Sequence, residues 1–154
     1  MTSAIVFPSI TSAHSLPLLF PGQAQKEISI NQSFHLLDAL LQGCVDVTLD
    51  TPPIDPGEGS IFRIGTNASG EWAGKTDSLA ILIGGAWNYL EPYEGLNLFD
   101  RSAGGRIHFK DGWQSVVEPS APSGGTTIDH EARQVISEIL TALTLLGQFK
   151  SNVI

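Results

Sequence analysis

Cysteine is almost absent from this chain of 154 residues, and lone Cys44 cannot form an internal disulfide, so the fold must rest on packing alone. Its apolar neighbourhood points to a structural thiol rather than a nucleophile. Basic residues are scarce as well. Eight Lys and Arg against sixteen Asp and Glu leave a net charge of −8, which argues against nucleic acid, because phosphate binding needs clustered cations to release counterions. Long apolar runs are missing too: nothing approaches the ~18 residues of a membrane span, so no membrane insertion is expected. No basic residue precedes Lys26 and Pro8 follows the short run Ala4 to Phe7, the wrong pattern for a secretory signal. The chain is expected to be made and folded in the cytoplasm.

Recognisable chemistry is the remaining absence. No nucleophile motif occurs, and no Gly-Lys-Ser/Thr follows a strand to make a phosphate loop. His14, His35, His108 and His130 are scattered without metal-ligand spacing, so no metal and no cofactor is expected. Glu91 with Glu94, or Asp100 with Asp111, could be drawn as an acid and base for glycan cleavage, but turn and surface roles account for them better. The chain does not read as an enzyme.

What is present is a hairpin written twice between Leu79 and Pro119. In the first copy Ile81 and Ile83 alternate with Leu82 and Gly84, a glycine turn follows, and Trp87, Tyr89 and Leu90 lead into Glu91-Pro92. In the second, Ile107 and Phe109 alternate with His108 and Lys110, Asp111-Gly112 turns, and Trp113, Val116 and Val117 lead into Glu118-Pro119. Asp-Gly between alternating apolar residues is a strong hairpin signal, because the turn needs positive φ. Each turn is expected to deliver a tryptophan as the first residue of its return strand. With Leu96, Leu98 and Phe99 as a strand between the copies, the whole reads as one antiparallel meander. Trp87 and Tyr89 share a strand face, so with Trp113 they can form either the core of a small sheet or a carbohydrate platform.

Around this centre, residues 1–21 with their prolines read as an extended N-terminal arm, whose leucines must bury against their own domain or a neighbour. Gln23 to Gln42 has helical spacing, with Ile28, Phe34, Leu37, Leu40 and Leu41 as the inward face and Gly43 as the stop. Val45 to Leu49 and Ser60 to Ile64 read as strands. Trp72, alone in a glycine-rich loop, is expected to fold back over the core. The domain thus covers 22–117, residues 118–125 form a linker, and 126–154 carry a second helix running to Phe149, capped by Thr126 or Thr127. Its stripe of Val135, Ile136, Ile139, Leu140, Leu143 and Leu146 is too wide and apolar to stay exposed on a monomer, so a homo-oligomer is expected.

The run Gly22-Gln23-Ala24-Gln25-Lys26-Glu27, then Asn31, then Leu36 to Leu40, resembles the signature of a domain family of unknown function found in phage tail-fibre and spike genes and in gene transfer agents. Thr51-Pro52-Pro53, Pro56 to Gly59, Gly70 to Gly74, Gly85-Ala86-Trp87, Glu94-Gly95 and Gly112-Trp113 extend the match in family order. The chain departs from the pattern at Ile30, where a histidine is usual. The resemblance implies a structural or attachment component, a head spike or tail-fibre base. It would be incorporated into a phage-like particle and contact itself and other capsid, spike or tail proteins, with host capsular polysaccharide as a candidate ligand. A carbohydrate-binding module using the hairpin aromatics and a small glycan-active enzyme are the alternatives. The expected fold class is α+β: a small, mainly antiparallel meander or barrel-like domain with one packed helix, an extended arm and a separate C-terminal oligomerisation helix.

Overall fold

The computed structural model describes residues 10, 16–19, 22 and 24–150. Helix α1 (Lys26–Gln42) is followed by β1 (Cys44–Val45), β2 (Val47–Leu49), β3 (Ile61–Ile64), β4 (Leu79–Ile83), β5 (Ala86–Leu90), β6 (Asn97–Asp100), β7 (Gly105–Phe109) and β8 (Trp113–Val117). Helix α2 (His130–Leu145) and β9 (Phe149–Lys150) complete the order. The fold is α+β. Its strands form two mixed sheets, β2-β3-β4-β5 and β1-β6-β7-β8-β9, neither of which closes into a barrel.

The expected single meander is therefore divided. Strands β4 and β5 belong to one sheet and β6, β7 and β8 to the other, because Glu91 to Glu94 carries the chain across before Gly95 and Leu96 bond the backbone of Phe109. Strands β1 and β2 bridge the two sheets, with β1 parallel to β6 and β2 parallel to β3. Between the sheets and α1 lies the main core: Leu36, Val45, Ile61, Leu79, Ile81, Leu90, Leu98 and Ile107 are among its buried members. A second core of Phe62, Ile64, Trp72 and Ala80 covers the opposite face of the four-stranded sheet. That sheet is apolar on both sides, which is why β4 reads as the unbroken run LAILI rather than as alternation.

Helix α1 starts at Lys26, later than expected, after Gln25 takes a left-handed φ of 54°, and it ends at Gly43, φ 63°. Its inward face also differs from the expected one. Leu36, Leu40 and Ala39 pack on the core, whereas Ile28, Phe34, Leu37 and Leu41 are exposed, Leu41 at 85%. The docking face is completed by short polar side chains: Gln32 Nε2 donates to Asn88 Oδ1 at 2.8 Å, and Ser33 Oγ donates to the Pro17 carbonyl at 2.9 Å. The helix is thus held by the strand beneath it and by the arm beside it. Leu16 from that arm is buried in the chain's own core, so it is not free for a neighbouring domain. Most of the 1–21 arm, Phe20 included, lies outside the described residues.

The C-terminal helix is not a separate appendage. It ends at Leu145, is capped by Asp129 accepting from Ala132 N at 3.0 Å rather than by Thr126 or Thr127, and is followed by a return to the domain. Phe149, expected on the helix, is instead buried in β9, which runs parallel beside β8. Gly147 makes the return feasible. It has φ +66°, and a Cβ there would sit 2.7 Å from the Phe99 ring.

Candidate functional site

The aromatic residues expected to form one platform are distributed over two places. The turn of the first hairpin is the pair Gly84-Gly85, with φ of 60° and 74°, so the return strand begins at Ala86 and Trp87 is its second residue. In the second hairpin Lys110, Asp111 and Gly112 separate paired Phe109 and Trp113, so the tryptophan is first. Successive side chains on a strand point to opposite faces, and this offset of one residue sends the rings to different cores. Trp87 and Tyr89 pack on the second core, with Trp87 edge-on to Trp72 at 5.1 Å and to Phe62 at 5.8 Å. Trp113 packs on the main core, edge-on to Phe109 at 5.4 Å, and its Nε1 donates to the Asp77 carbonyl at 2.8 Å.

Both groups border open space, the second through Phe109, which lines a cleft of about 310 Å³ with Asp77, Glu91 and Pro92. Trp87, half-buried, lines a cleft of about 480 Å³ with Pro52, Pro53, Pro56, Glu71 and Leu82. Tyr89 braces it: its hydroxyl donates to the Glu71 carbonyl at 3.1 Å and Lys75 Nζ lies 5.1 Å from its ring centre. Burial, and secondarily the Glu71 carboxylate, push the Tyr89 phenol above its ordinary pKa. Beneath them Trp72 is fully buried. Across the hairpin, another cleft of about 450 Å³ separates α1 from the same turn, lined by Ile28, Asn31, Gln32, His35, Glu58 and Asn88 among others. Glu58 holds its rim by accepting from Gly84 N at 2.5 Å and Gly85 N at 3.3 Å.

Of the four acidic candidates, Asp100 and Glu94 have local structural duties, and Asp111 sits in the second hairpin turn at φ 51°. Buried Asp100 accepts from Ser102 Oγ at 2.7 Å and Ala103 N at 2.9 Å, holding the turn before β7. Glu94 accepts from Asp111 N at 3.0 Å, so it ties the second hairpin turn to the preceding loop. Arg63, half-buried, gives Nε to Thr48 Oγ1 at 2.7 Å; burial lowers its pKa, with Asp100 and Asp77 opposing that shift. His14 lies outside the described residues. His35, His108 and His130 sit on α1, β7 and α2, and among the described residues no three His, Cys, Asp or Glu side chains gather as a metal site.

Five of the six expected oligomerisation residues lie on α2, and Leu146 is its C-cap. Val135, Ile136, Ile139 and Leu146 are exposed, Ile139 at 53%, and Leu140 and Leu143 are half-buried. No residue of this helix is buried. Sequence reasoning missed a comparable feature on α1: Ile30, Phe34, Leu37 and Leu41 are all exposed and follow steps of four, three and four, one narrow stripe of the helix. The signal was present in Ser29, Gln32 and Ser33, small or polar residues on the side that docks. No helix among the described residues is long and apolar enough to cross a membrane.

Two open mixed sheets with a helix on one face and a helical excursion before the last strand define the chain as an α+β domain. Residues 30–114, from α1 into β8, match the sequence model of a family described as "Protein of unknown function (DUF2793)", and the chain belongs to that family. The match begins after Gly22 to Glu27 and ends before α2 and β9. No curated protein matches the chain.

Proposed function

We propose that this chain is a non-catalytic assembly component of a phage-like particle or gene transfer agent, a head spike or tail-fibre base, that self-associates through its helices and contacts neighbouring particle proteins. The observation that carries the reading is the uncovered apolar face of Val135, Ile136 and Ile139 on α2, continued by Leu146 at its C-cap, on a helix with no buried residue. A helix of this length is marginal in water and takes its stability from burying such a face. Each large apolar side chain fully buried contributes about 1.5 to 3 kcal/mol, so a second copy covering this stripe is strongly favoured over water. The attribution to a phage-like particle rests on the resemblance of Gly22 to Glu27 and the motifs that follow it.

Mass by light scattering tests the assembly. The intact chain should be a homo-oligomer, and Ile139→Asp with Leu143→Asp should lower its mass while leaving the melting temperature of the sheets nearly unchanged. Truncation before α2 is not a clean alternative, because it also removes β9 and Phe149 from the core. An intact chain that stays monomeric at every soluble concentration contradicts the reading.

A second reading is favoured by one specific observation, the cleft where Trp87 meets Glu71 and three prolines. A pyranose could stack there with its hydroxyls toward the carboxylate. Trp113 takes no part in this version. Binding to host capsular polysaccharide should then fall with Trp87→Phe and be unaffected by Trp113→Phe, and equal loss or no loss with both would remove the reading.

A further inference from the structure

Sheet edges expose unpaired backbone groups, and proteins ordinarily blunt them with shortness, charge, proline or a covering segment. Among the described residues, three of the four edges follow that rule. Strand β1 has two residues, β2 has three, and β9 has two and ends in Lys150. The fourth edge, β5, is Ala86-Trp87-Asn88-Tyr89-Leu90: five residues, no charge and no proline.

The register says which groups of β5 are open. Ile83 and Ala86 close the two-residue turn, so the hydrogen-bonded pairs fall at Ile83 with Ala86, Ile81 with Asn88 and Leu79 with Leu90. The N–H and C=O groups of Trp87 and Tyr89 therefore point away from β4, and no backbone partner for them occurs among the described residues. The strand is held rigid on both faces, by Phe62 and Trp72 against Trp87 and by Gln32 against Asn88. Little order would have to be gained on pairing.

We propose that β5 pairs antiparallel with β5 of a second copy across a twofold axis at Asn88, joining two four-stranded sheets into one. The occupant is argued from self-complementarity. With Asn88 opposite Asn88, Trp87 of each copy faces Tyr89 of the other, and both open N–H and both open C=O groups of each edge find partners. Aromatic cross-strand pairs are favourable, and an uncharged strand avoids the repulsion that a net charge of −8 imposes elsewhere. At the axis the two carboxamides meet side by side. This contact is separate from the α2 face, since β5 and α2 lie in different parts of the fold.

The test is made in the Ile139→Asp, Leu143→Asp chain, so that failure of the α2 reading and failure of this one are told apart. That chain should still show a monomer–dimer equilibrium by sedimentation. Asn88→Lys and Asn88→Asp place like charges opposite each other at the axis, and each should weaken the dimer by about tenfold or more. Mixing the two variants should restore it, an outcome that a merely structural role for Asn88 would not produce. Ala86→Lys, at an exposed position, provides an edge lysine that leaves the Gln32 contact intact and should also weaken the dimer. A monomeric α2 variant at all concentrations, dimers indifferent to these substitutions, or a Lys and Asp mixture that stays monomeric would each overturn the proposal.

Discussion

The two hairpins of this chain share almost the same text and are used in opposite ways. A two-residue turn places Trp87 second on its strand and over the smaller core, and a three-residue turn places Trp113 first and over the larger one. Their outer edges differ in the same sense. Beyond β8 the chain returns after α2 and lays β9 alongside, whereas beyond β5 nothing described is laid. A single residue of turn length decides which core a ring serves, and a short returning strand decides which edge is left open.

The separation of the cores can be broken or sharpened by double-mutant cycles on stability. Trp72→Ala should have the largest effect, about 3 to 5 kcal/mol, because the side chain is fully buried against Phe62 and Trp87. Combined with Trp87→Ala it should show a coupling of roughly 0.5 to 3 kcal/mol, since the rings are in contact. Trp87→Ala and Trp113→Ala should instead add to within about 0.5 kcal/mol. Strong coupling between the two hairpin tryptophans, measured by urea unfolding, would mean that they share one core after all.

The return that lays β9 beside β8 depends on Gly147, whose carbonyl accepts from Arg106 N of β7 at 2.7 Å. Gly147→Ala adds a methyl against Phe99 at a left-handed φ, and should cost about 1 to 3 kcal/mol and loosen β9. Gly85→Ala, also at a left-handed φ but with nothing within 4 Å of the new Cβ, should cost less, about 1 to 2 kcal/mol. Equal melting temperatures for the two variants would deny the close packing of the β9 return.

The smallest effect concerns pH. The Tyr89 phenol has its pKa raised by burial first and by Glu71 second. Its contribution to stability is therefore present below the ordinary phenol pKa and is lost as pH rises through the raised one. Ultraviolet titration should show a late-ionising tyrosine that disappears in Tyr89→Phe. An unchanged titration curve in that variant would remove the assignment.

Much of the strand pattern was legible because period-two alternation and Asp-Gly turns are local signals. Most strands were legible, but the one strand read over Val45 to Leu49 divides at Asp46 into β1 and β2 of different sheets. Sheet membership was not legible, since Glu91 to Leu96 looks like any connection until the partners of β4 and β6 are known. The face of α1 was misread for a related reason. Counting large apolar residues selects Phe34, Leu37 and Leu41, but the helix docks through Leu36, Ala39, Ser33 and Gln32, where small and polar side chains meet Pro17 and Asn88. The platform of Trp87, Tyr89 and Trp113 required a count of turn residues that Gly84-Gly85-Ala86 leaves ambiguous in the sequence. Phe149 looked helical because its spacing continues the α2 stripe, and the left-handed Gly147 that ends the pattern lies only two residues earlier.

The central claim, that one sheet edge is covered from within the chain and the other is left for a partner, is tested most directly by amide hydrogen exchange on the dilute, monomeric chain carrying Ile139→Asp, Leu143→Asp and Asn88→Lys. The Arg106 amide, bonded to Gly147, should exchange slowly, while the Trp87 and Tyr89 amides exchange freely beside a protected Lys at position 88. Equal protection of Trp87, Tyr89 and Arg106 under those conditions would contradict it.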